Sequence, residues 1–171
     1  MYSSTAVLST EWAISLSLVL TNRLNWNVES KNLIGPEQAG FRKSRSTTNH
    51  LVKFDLDIKS GFKEKSTVAV FLDIDKAYDP VWIKSLLYKL AKIGLTGNCL
   101  GWLQNFLQNR SICIILGSHI SQSRVINIGV PQDAVLSHLL FNLMLIDFPT
   151  PPSDIILQLF ADDVNVYTQV K

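Results

Sequence analysis

The sequence predicts an α+β fold whose sheet is mostly antiparallel. Hydrophobic residues make up 47% of the 171-residue chain and charged residues 18%, which is typical of a globular protein rather than a disordered one. Short apolar runs rich in β-branched residues alternate with segments of helical periodicity. Their order is helices, one strand, two helices, a hairpin, a helix and a second hairpin. This order favours the α+β class over an alternating parallel sheet.

The first part of the chain is predicted to be helical, with a basic loop in its middle. Residues 12–24 predict a short helix that ends at Asn22-Arg23-Leu24. Glycine, proline and cations fill residues 34–48 and predict a turn-rich loop. Residues 50–62 carry an imperfect apolar face and predict a second helix. The continuous β-rich run over residues 67–74 predicts a strand that is covered on both faces.

Proline and glycine mark the bounds of the remaining elements. Pro80 suits a first helical position, and apolar residues at helical spacing follow it as far as Gly94. Residues 97–108 predict another helix. Residues 112–116 and 125–128 predict a hairpin around Gly117-Ser118. A helix follows Pro131, and the apolar runs at residues 155–160 and 164–167 form the final hairpin.

Charge and cysteine usage restrict the class of protein. The net charge is +2, so no strong global field attracts nucleic acid. Cys99 and Cys113 form no CxxC pattern and are expected to be buried thiols in a reducing compartment. The apolar stretch from Trp12 to Leu20 is shorter than the roughly 20 residues that span a bilayer. We therefore expect an intracellular protein of the cytoplasm or nucleus, neither secreted nor in a membrane.

Two acidic segments at the ends of apolar runs point to phosphoryl-transfer chemistry. Asp73 ends the first predicted strand, and the pair Asp162-Asp163 lies at the tip of the final hairpin. Carboxylates in such positions can hold two Mg²⁺ ions, with Mn²⁺ as the alternative. Two ions about 3.5–4 Å apart stabilise the attacking and leaving oxygens of a phosphoryl transfer. Each segment alone also fits a solvated strand end or an ordinary Asp-rich turn.

Two further segments have a functional and an ordinary interpretation. Arg42, Lys43 and Arg45 lie in the loop QAGFRKSRSTT, which is either a basic surface loop or a set of phosphate contacts. Gln132 ends the segment Gly129-Val130-Pro131-Gln132, which is either a plain strand-to-helix turn or a contact to a template base and the nascent pair.

Taken together and in this order, these segments resemble the reverse transcriptases of non-LTR retrotransposons, especially the jockey-like group. The resemblance runs from about Asn22 to Tyr167. The segments that carry it are LIGPEQAGFRKSRSTTNHL, STVAVFLDIDKAYDPVW, LLYKLAKIGL, GVPQDAVLSHLLFNLMLIDFP and FADDVNVY. It implies the palm of a right-hand polymerase with helices packed on one face of an antiparallel sheet. By this resemblance residues 1–11 are an unrelated leader, residues 12–66 are partial fingers and residues 67–171 are a palm truncated just after the FADD hairpin.

The resemblance implies a role for each matching residue. Asp73, Asp162 and Asp163 correspond to the catalytic carboxylates and metal ligands, and the backbone carbonyl of Ile74 is a further ligand. Tyr78 corresponds to the steric gate that excludes a ribose 2′-hydroxyl. This position argues against an RNA-templated RNA polymerase, which shares the palm.

The implied activity is transfer of deoxynucleotides to a primer 3′ end. Gln132 belongs to the GVPQ motif, which lies against the nucleotide and template. The implied partners are an RNA template, a DNA primer and deoxynucleoside triphosphates.

Several features depart from the family pattern. Asp133-Ala134 stands where the family has Gly-Ser, and Ser137-His138 stands where it has Ser-Pro. The sequence ends eight residues after Asp163, where the resemblance implies that a thumb would follow. The alternative interpretation is therefore a catalytically dead remnant that at most binds nucleic acid. A structural protein without any nucleic-acid role would leave the ordered motifs unexplained.

Overall fold

The chain folds into a helical core beside a small antiparallel sheet. The computed structural model describes residues 10–62 and 65–170. Within these ranges the helices are Thr10–Ser30 (α1), Thr47–Gly61 (α2), Ile83–Lys92 (α3), Gly97–Leu107 (α4) and Ser137–Met144 (α5). The strands are Ser66–Asp73 (β1), Arg110–Ile112 (β2), Ile115–Leu116 (β3), His119–Ile120 (β4), Arg124–Ile126 (β5), Ile155–Phe160 (β6) and Asp163–Val170 (β7). This arrangement confirms the predicted α+β class.

The main sheet has the order β1-β7-β6, with β7 in the centre and both pairings antiparallel. The register places Ser66 opposite Val170 at one end and Asp73 opposite Asp163 at the other. The end of β1 and the turn between β6 and β7 therefore lie together. Two small two-stranded sheets, β2 with β5 and β3 with β4, form a separate extended hairpin.

A single apolar cluster joins α1 to α3, α4 and α5. Its buried members include Leu24 and Val28 of α1, Leu86 and Leu90 of α3, and Leu140 of α5, each at most 2% exposed. These positions recur at three- and four-residue spacing, so each helix turns one apolar stripe towards the cluster. The segment predicted as partial fingers thus shares its core with the segment predicted as palm, and the domain bounds themselves stay a prediction.

Helix α2 covers one face of the sheet through aromatic and polar contacts. The ring of Phe54 lies edge-on to Tyr167 at 4.8 Å and to Phe71 at 5.8 Å between ring centroids. The hydroxyl of Tyr167 donates a 2.7 Å hydrogen bond to the Asp57 carboxylate. Burial and the adjacent charge of Asp57 raise the pKa of Tyr167. The hydroxyl thus stays a donor and links α2 to β7.

Several predicted bounds differ from the structure. Helix α1 continues to Ser30 rather than ending at Leu24, because Leu24 and Val28 pack in the core one turn apart. Helix α3 begins three residues after Pro80, at Ile83. The hairpin around Gly117 divides into two short pairings rather than one. Cys99 and Cys113 are free thiols that are half-buried rather than buried.

The prediction that the first strand is covered on both faces is wrong. Val68, Val70 and Leu72 of β1 are 53%, 50% and 55% exposed. They share one face of the strand, because side chains alternate across a strand, and α2 covers the opposite face. In the described residues no helix is both long enough and apolar enough to cross a membrane. Residues 1–9, most of the predicted leader, lie outside the described residues.

Candidate active site

The three predicted carboxylates come to one end of the main sheet. Phe160 pairs with Asp163, so Ala161 and Asp162 form a two-residue turn between β6 and β7. Asp163 lies directly opposite Asp73 in the register of β1 with β7. The backbone N–H of Ile74 donates a 3.2 Å hydrogen bond to the carbonyl of Asp162, which fixes the turn beside the end of β1.

The side chains at this sheet end differ in exposure. Asp73 and Asp163 are exposed, and Asp162 is half-buried. Across residues 10–62 and 65–170, no group of three or more His, Cys, Asp or Glu side chains is arranged to hold a metal ion. The backbone thus brings the three residues together, while their carboxylates do not form a closed cage. Three neighbouring carboxylates repel one another when no cation is bound, which disfavours such a cage. Carboxylate oxygens are the ligands that Mg²⁺ prefers, so the three aspartates fit this ion.

Tyr78 lies next to the carboxylate turn, in the loop between β1 and α3. Its ring packs on Phe141 at 5.2 Å and faces the edge of His138 at 6.1 Å between centroids. Burial raises the pKa of Tyr78, and the negative charge of Asp162 raises it further. The ring is therefore a neutral, fixed apolar body within electrostatic reach of Asp162.

The segment with Gln132 is bonded to the loop with Tyr78. The N–H of Gly129 donates to the carbonyl of Val81, and the N–H of Val130 donates to the carbonyl of Tyr78, both at 2.8 Å. Gly129 has a φ of 78°, and a Cβ there would lie 2.7 Å from the carbonyl oxygen of Asp79. Only glycine fits so close an approach. The two loops therefore form one unit that carries both Tyr78 and Gln132.

The two departures from the family pattern lie in and beside this unit. Asp133 has a φ of 59°, the left-handed region where a glycine is favoured. His138 is half-buried, and its ring lies 4.2 Å from that of Phe41 between centroids. His138 thus fills the space between Phe41 and the Tyr78 ring.

The structure gives Arg42 a different position from the predicted phosphate contact. Arg42 is only 9% exposed. Its guanidinium donates two hydrogen bonds to the Glu29 carboxylate, at 2.7 and 2.8 Å, and others to three backbone carbonyls. Those carbonyls belong to Ile34, Gly35 and Gln38. A guanidinium so occupied holds the loop against α1, so we expect Arg42 to stabilise the fold rather than to contact a phosphate.

The other two cations of the loop remain accessible. Lys43 is exposed, and Arg45 is half-buried with one donor on the carbonyl of Pro36 at 2.6 Å. Arg45 lines a groove of about 410 Å³ together with His50 and Lys53. Burial lowers the pKa of His50, and the positive charges of Lys53 and Arg45 lower it further. The groove between the loop and α2 thus carries two cations, Arg45 and Lys53, and one carboxylate, Glu37.

Comparison with known proteins identifies the family. The family model for "Reverse transcriptase (RNA-dependent DNA polymerase)" matches residues 15–171, nearly the whole chain. The chain belongs to the reverse transcriptase family.

Curated relatives agree with this assignment. The chain is 30% identical over 154 residues to the probable RNA-directed DNA polymerase from transposon BS of Drosophila melanogaster, covering 85% of the chain and 17% of the relative. It is 30% identical over 180 residues to the RNA-directed DNA polymerase from mobile element jockey of the same species, covering 99% and 19%. It is 33% identical to the probable enzyme from transposon X-element, covering 81% and 16%. The chain thus spans less than a fifth of the length of these relatives.

Solved structures show the same fold at low identity. Telomerase from Candida albicans, solved with a TWJ fragment of telomeric RNA, matches with a TM-score of 0.64 and 11% identity, covering 89% of this chain and 30% of that one. Apo telomerase from Candida tropicalis matches with a TM-score of 0.61 and 15% identity, covering 88% and 33%. The predicted reverse transcriptase family and the partial palm fold are therefore confirmed. Enzymes of this family depend on metal ions in general.

Sequence reasoning missed two residues that build this candidate site. The buried side-chain amide of Gln38 contacts the carboxylate turn through Ala161. The guanidinium of Arg110 donates to the carbonyls of Leu107, at 3.0 Å, and of Ile128 and Gly129. Burial lowers the pKa of Arg110. Gly40 in Gln38-Ala39-Gly40 could have indicated that this segment lies close to another part of the backbone. Nothing in the local sequence indicates the role of Arg110.

Proposed function

We propose that this chain carries the nucleotidyl-transfer site of an RNA-directed DNA polymerase. The observation that carries the proposal is the register of β1 with β7, which sets Asp73 opposite Asp163 beside the Asp162 turn. Asp73, Asp162 and Asp163 would hold two Mg²⁺ ions, with the carbonyl of Ile74 as a further ligand. Ions bound there would stabilise the charge that develops on the attacking and leaving oxygens.

The reaction is a substitution at phosphorus. The primer 3′ oxygen attacks the α-phosphorus of a deoxynucleoside triphosphate as the bond to the β-phosphate oxygen breaks. Pyrophosphate leaves, and the proton of the 3′-hydroxyl passes to water. The protein contributes by holding the two reactants in line, and such positioning supplies much of the rate enhancement in phosphoryl transfer.

Tyr78 and Gln132 would bind the nucleotide and the template base. The Tyr78 ring is fixed by Phe141 and His138, so it cannot move away from a 2′-hydroxyl without disturbing α5. It would therefore select deoxyribose by steric exclusion. The hydrogen bond from Gln132 to Asp79 links the template-side contact to the loop that carries Tyr78.

The basic groove is the proposed contact for the phosphates of the RNA template or DNA primer. Arg45 and Lys53 in the groove, and the exposed Lys43 of the same loop, supply charge without base-specific geometry, as expected for an enzyme that copies any sequence. Arg42 is left out of this proposal, because its donors are used within the fold.

The test is incorporation of a single deoxynucleotide opposite an RNA template in the presence of Mg²⁺. We expect incorporation by the whole chain and its loss, by about 10²-fold or more, in Asp162→Asn. The matched control is Asp154→Asn, an exposed aspartate just before β6, at the opposite end of the sheet. Equal incorporation by Asp162→Asn and the parent chain would refute the proposed site.

A second candidate is nucleic-acid binding without catalysis. The observation in its favour is Asp133, which places a carboxylate next to Gln132 where the family has glycine. Negative charge there opposes a bound triphosphate, whereas the basic groove is unaffected. Three results together would select this candidate. The parent chain incorporates no nucleotide, Asp162→Asn still binds RNA, and Arg45→Ala binds RNA more weakly.

A further inference from the structure

The turn that carries Asp162 needs support from outside its own hairpin. Ala161, its first residue, has a φ of 57° and is 7% exposed. A left-handed backbone costs a residue other than glycine about 1 kcal/mol or more. Its buried backbone N–H and C=O also require partners, which a two-residue turn does not provide.

Gln38 supplies both partners. The Nε2 of Gln38 donates to the carbonyl of Ala161 at 3.2 Å, and the N–H of Ala161 donates to the Oε1 of Gln38 at 3.0 Å. The side-chain amide thus pairs with Ala161 as a neighbouring strand would. Gln38 is 2% exposed, so an exchange of these bonds for water is excluded in the folded state.

Gln38 is itself held in place by its surroundings. Its Oε1 also accepts from the N–H of Gly40 at 2.8 Å, and its backbone carbonyl accepts from Arg42 at 3.1 Å. The carbonyl of Gly40 accepts from Nδ2 of Asn142 on α5 at 2.8 Å. A Cβ on Gly40 would lie 2.1 Å from the backbone nitrogen of Ala161. The loop therefore lies directly against the turn and connects it to α5.

We infer that Gln38 is a positioning residue that sets where Asp162 lies relative to Asp73. Its amide fixes Ala161, and the adjacent Asp162 accepts from the N–H of Ile74 at the end of β1. A shift of the turn would therefore separate the carboxylate pair from Asp73. The effect of Gln38 on metal binding rests on the proposed function, whereas its effect on the position of the turn does not.

The experiment measures amide hydrogen exchange by NMR on the whole chain. The reporter is the N–H of Ile74, which bonds to Asp162, and the reference is the N–H of Leu86 in the helical core, which bonds to Trp82 at 3.0 Å. Dividing the protection factor of Ile74 by that of Leu86 corrects for any loss of stability that affects the whole fold. Gln38→Met keeps the side-chain size and removes the amide. Gln38→Glu keeps both accepted bonds, and its buried carboxyl can donate to Ala161 only when it is protonated.

The matched control is Gln158→Met. Gln158 is a buried glutamine on β6 whose amide contacts His50, Tyr167 and Asn165 and not the turn. We expect the ratio of the Ile74 protection factor to that of Leu86 to fall about 10-fold or more in Gln38→Met, since three buried backbone groups lose a partner: the N–H and carbonyl of Ala161 and the N–H of Gly40. A smaller fall is expected in Gln38→Glu and none in Gln158→Met. An unchanged ratio in both Gln38 variants, or an equal fall in Gln158→Met, would overturn the inference.

A Mn²⁺ titration of the same samples separates this inference from the proposed function. Weaker Mn²⁺ binding in Gln38→Met than in Gln158→Met supports both. A parent chain that binds no Mn²⁺ refutes the proposed metal site, and the exchange ratio then still decides the role of Gln38.

Discussion

The side-chain amide of Gln132 donates a 3.1 Å hydrogen bond to the carboxylate of Asp79. The two residues are 53 positions apart and lie on the two loops that also share backbone bonds from Gly129 and Val130. Both side chains are exposed, so the bond acts mainly by orienting Gln132 rather than by stabilising the fold.

A double-mutant cycle tests this bond. We expect Gln132→Ala and Asp79→Ala each to raise the KM for nucleotide several-fold, and the two changes to be non-additive by about 1 kcal/mol. The measurement is single-nucleotide incorporation by the two single variants and the double variant. Strict additivity would show that Asp79 does not orient Gln132.

Replacing Asp133 with glycine should relieve the left-handed backbone at this position and remove a negative charge beside the proposed nucleotide site. Asp133→Gly relieves a left-handed residue, and we expect a gain of about 0.5 kcal/mol in the free energy of unfolding. We also expect a lower KM for nucleotide, because the proposed nucleotide site would lose a neighbouring negative charge.

The control for Asp133→Gly is Asn32→Gly, another left-handed position, which follows α1. It should give a similar gain in urea denaturation and leave the KM unchanged. A KM for Asp133→Gly equal to that of the parent chain would contradict the proposed effect on nucleotide binding.

Arg42 should matter for stability rather than for binding nucleic acid. Arg42→Met removes the Arg42 donors to Glu29 and to three backbone carbonyls, of which that of Gly35 still accepts from the N–H of Gln38. We expect a loss of about 2–4 kcal/mol in the free energy of unfolding. Urea denaturation measures this loss. A variant of undiminished stability that binds RNA more weakly would restore the phosphate-contact interpretation.

The Glu29–Arg42 pair also predicts a dependence of stability on pH. The hydrogen bonds and charge of Arg42 hold the pKa of Glu29 below its ordinary value of 4.5. The folded state then binds this proton less readily than the unfolded state, so the stabilisation is present above about pH 4.5 and is lost as the pH falls below it. The stability difference between the parent chain and Glu29→Gln should shrink over that range. A difference that stays constant from pH 7 to pH 3 would contradict this role.

The basic groove should give RNA binding a salt dependence that individual cations reduce. Arg45→Ala and Lys53→Ala should each weaken binding and lower the slope of log affinity against log salt by about 0.7–0.9. Lys84→Ala, an exposed lysine on α3, serves as the control with no expected change. Fluorescence anisotropy at several salt concentrations measures the slopes, and equal slopes in all variants would exclude the groove as the phosphate contact.

The sequence predicted where the three carboxylates lie in the sheet because their signal is local, while their role as metal ligands stays a prediction. An apolar run that ends in Asp73, and a turn between two apolar runs that carries Asp162, show their positions without knowledge of the fold. The register that sets Asp73 opposite Asp163 follows once β1 and β7 pair with their apolar faces aligned.

The roles of Gln38, Arg42 and Arg110 could not be predicted in the same way. Gln38 contacts a residue 123 positions away, and Arg110 caps carbonyls 18 and 19 positions away. Arg42 has the same local composition as Lys43, yet only the former is buried, because Glu29 on α1 lies within its reach. Partners distant in sequence decide each case. The exposure of Val68 on β1 likewise depends on which elements pack on the sheet and not on the strand itself.

The most direct test of the central claim is a Mn²⁺ titration of the whole chain followed by electron paramagnetic resonance. Asp73 ends β1, whereas Asp163 begins β7 and Asp162 lies in the turn before it, so a shared ion requires β1 and this turn to act as one site. We predict that Asp73→Asn weakens Mn²⁺ binding about 10-fold or more, while Asp154→Asn binds as the parent chain does. Equal affinities for the parent chain and Asp73→Asn would contradict the claim that these carboxylates form one metal site.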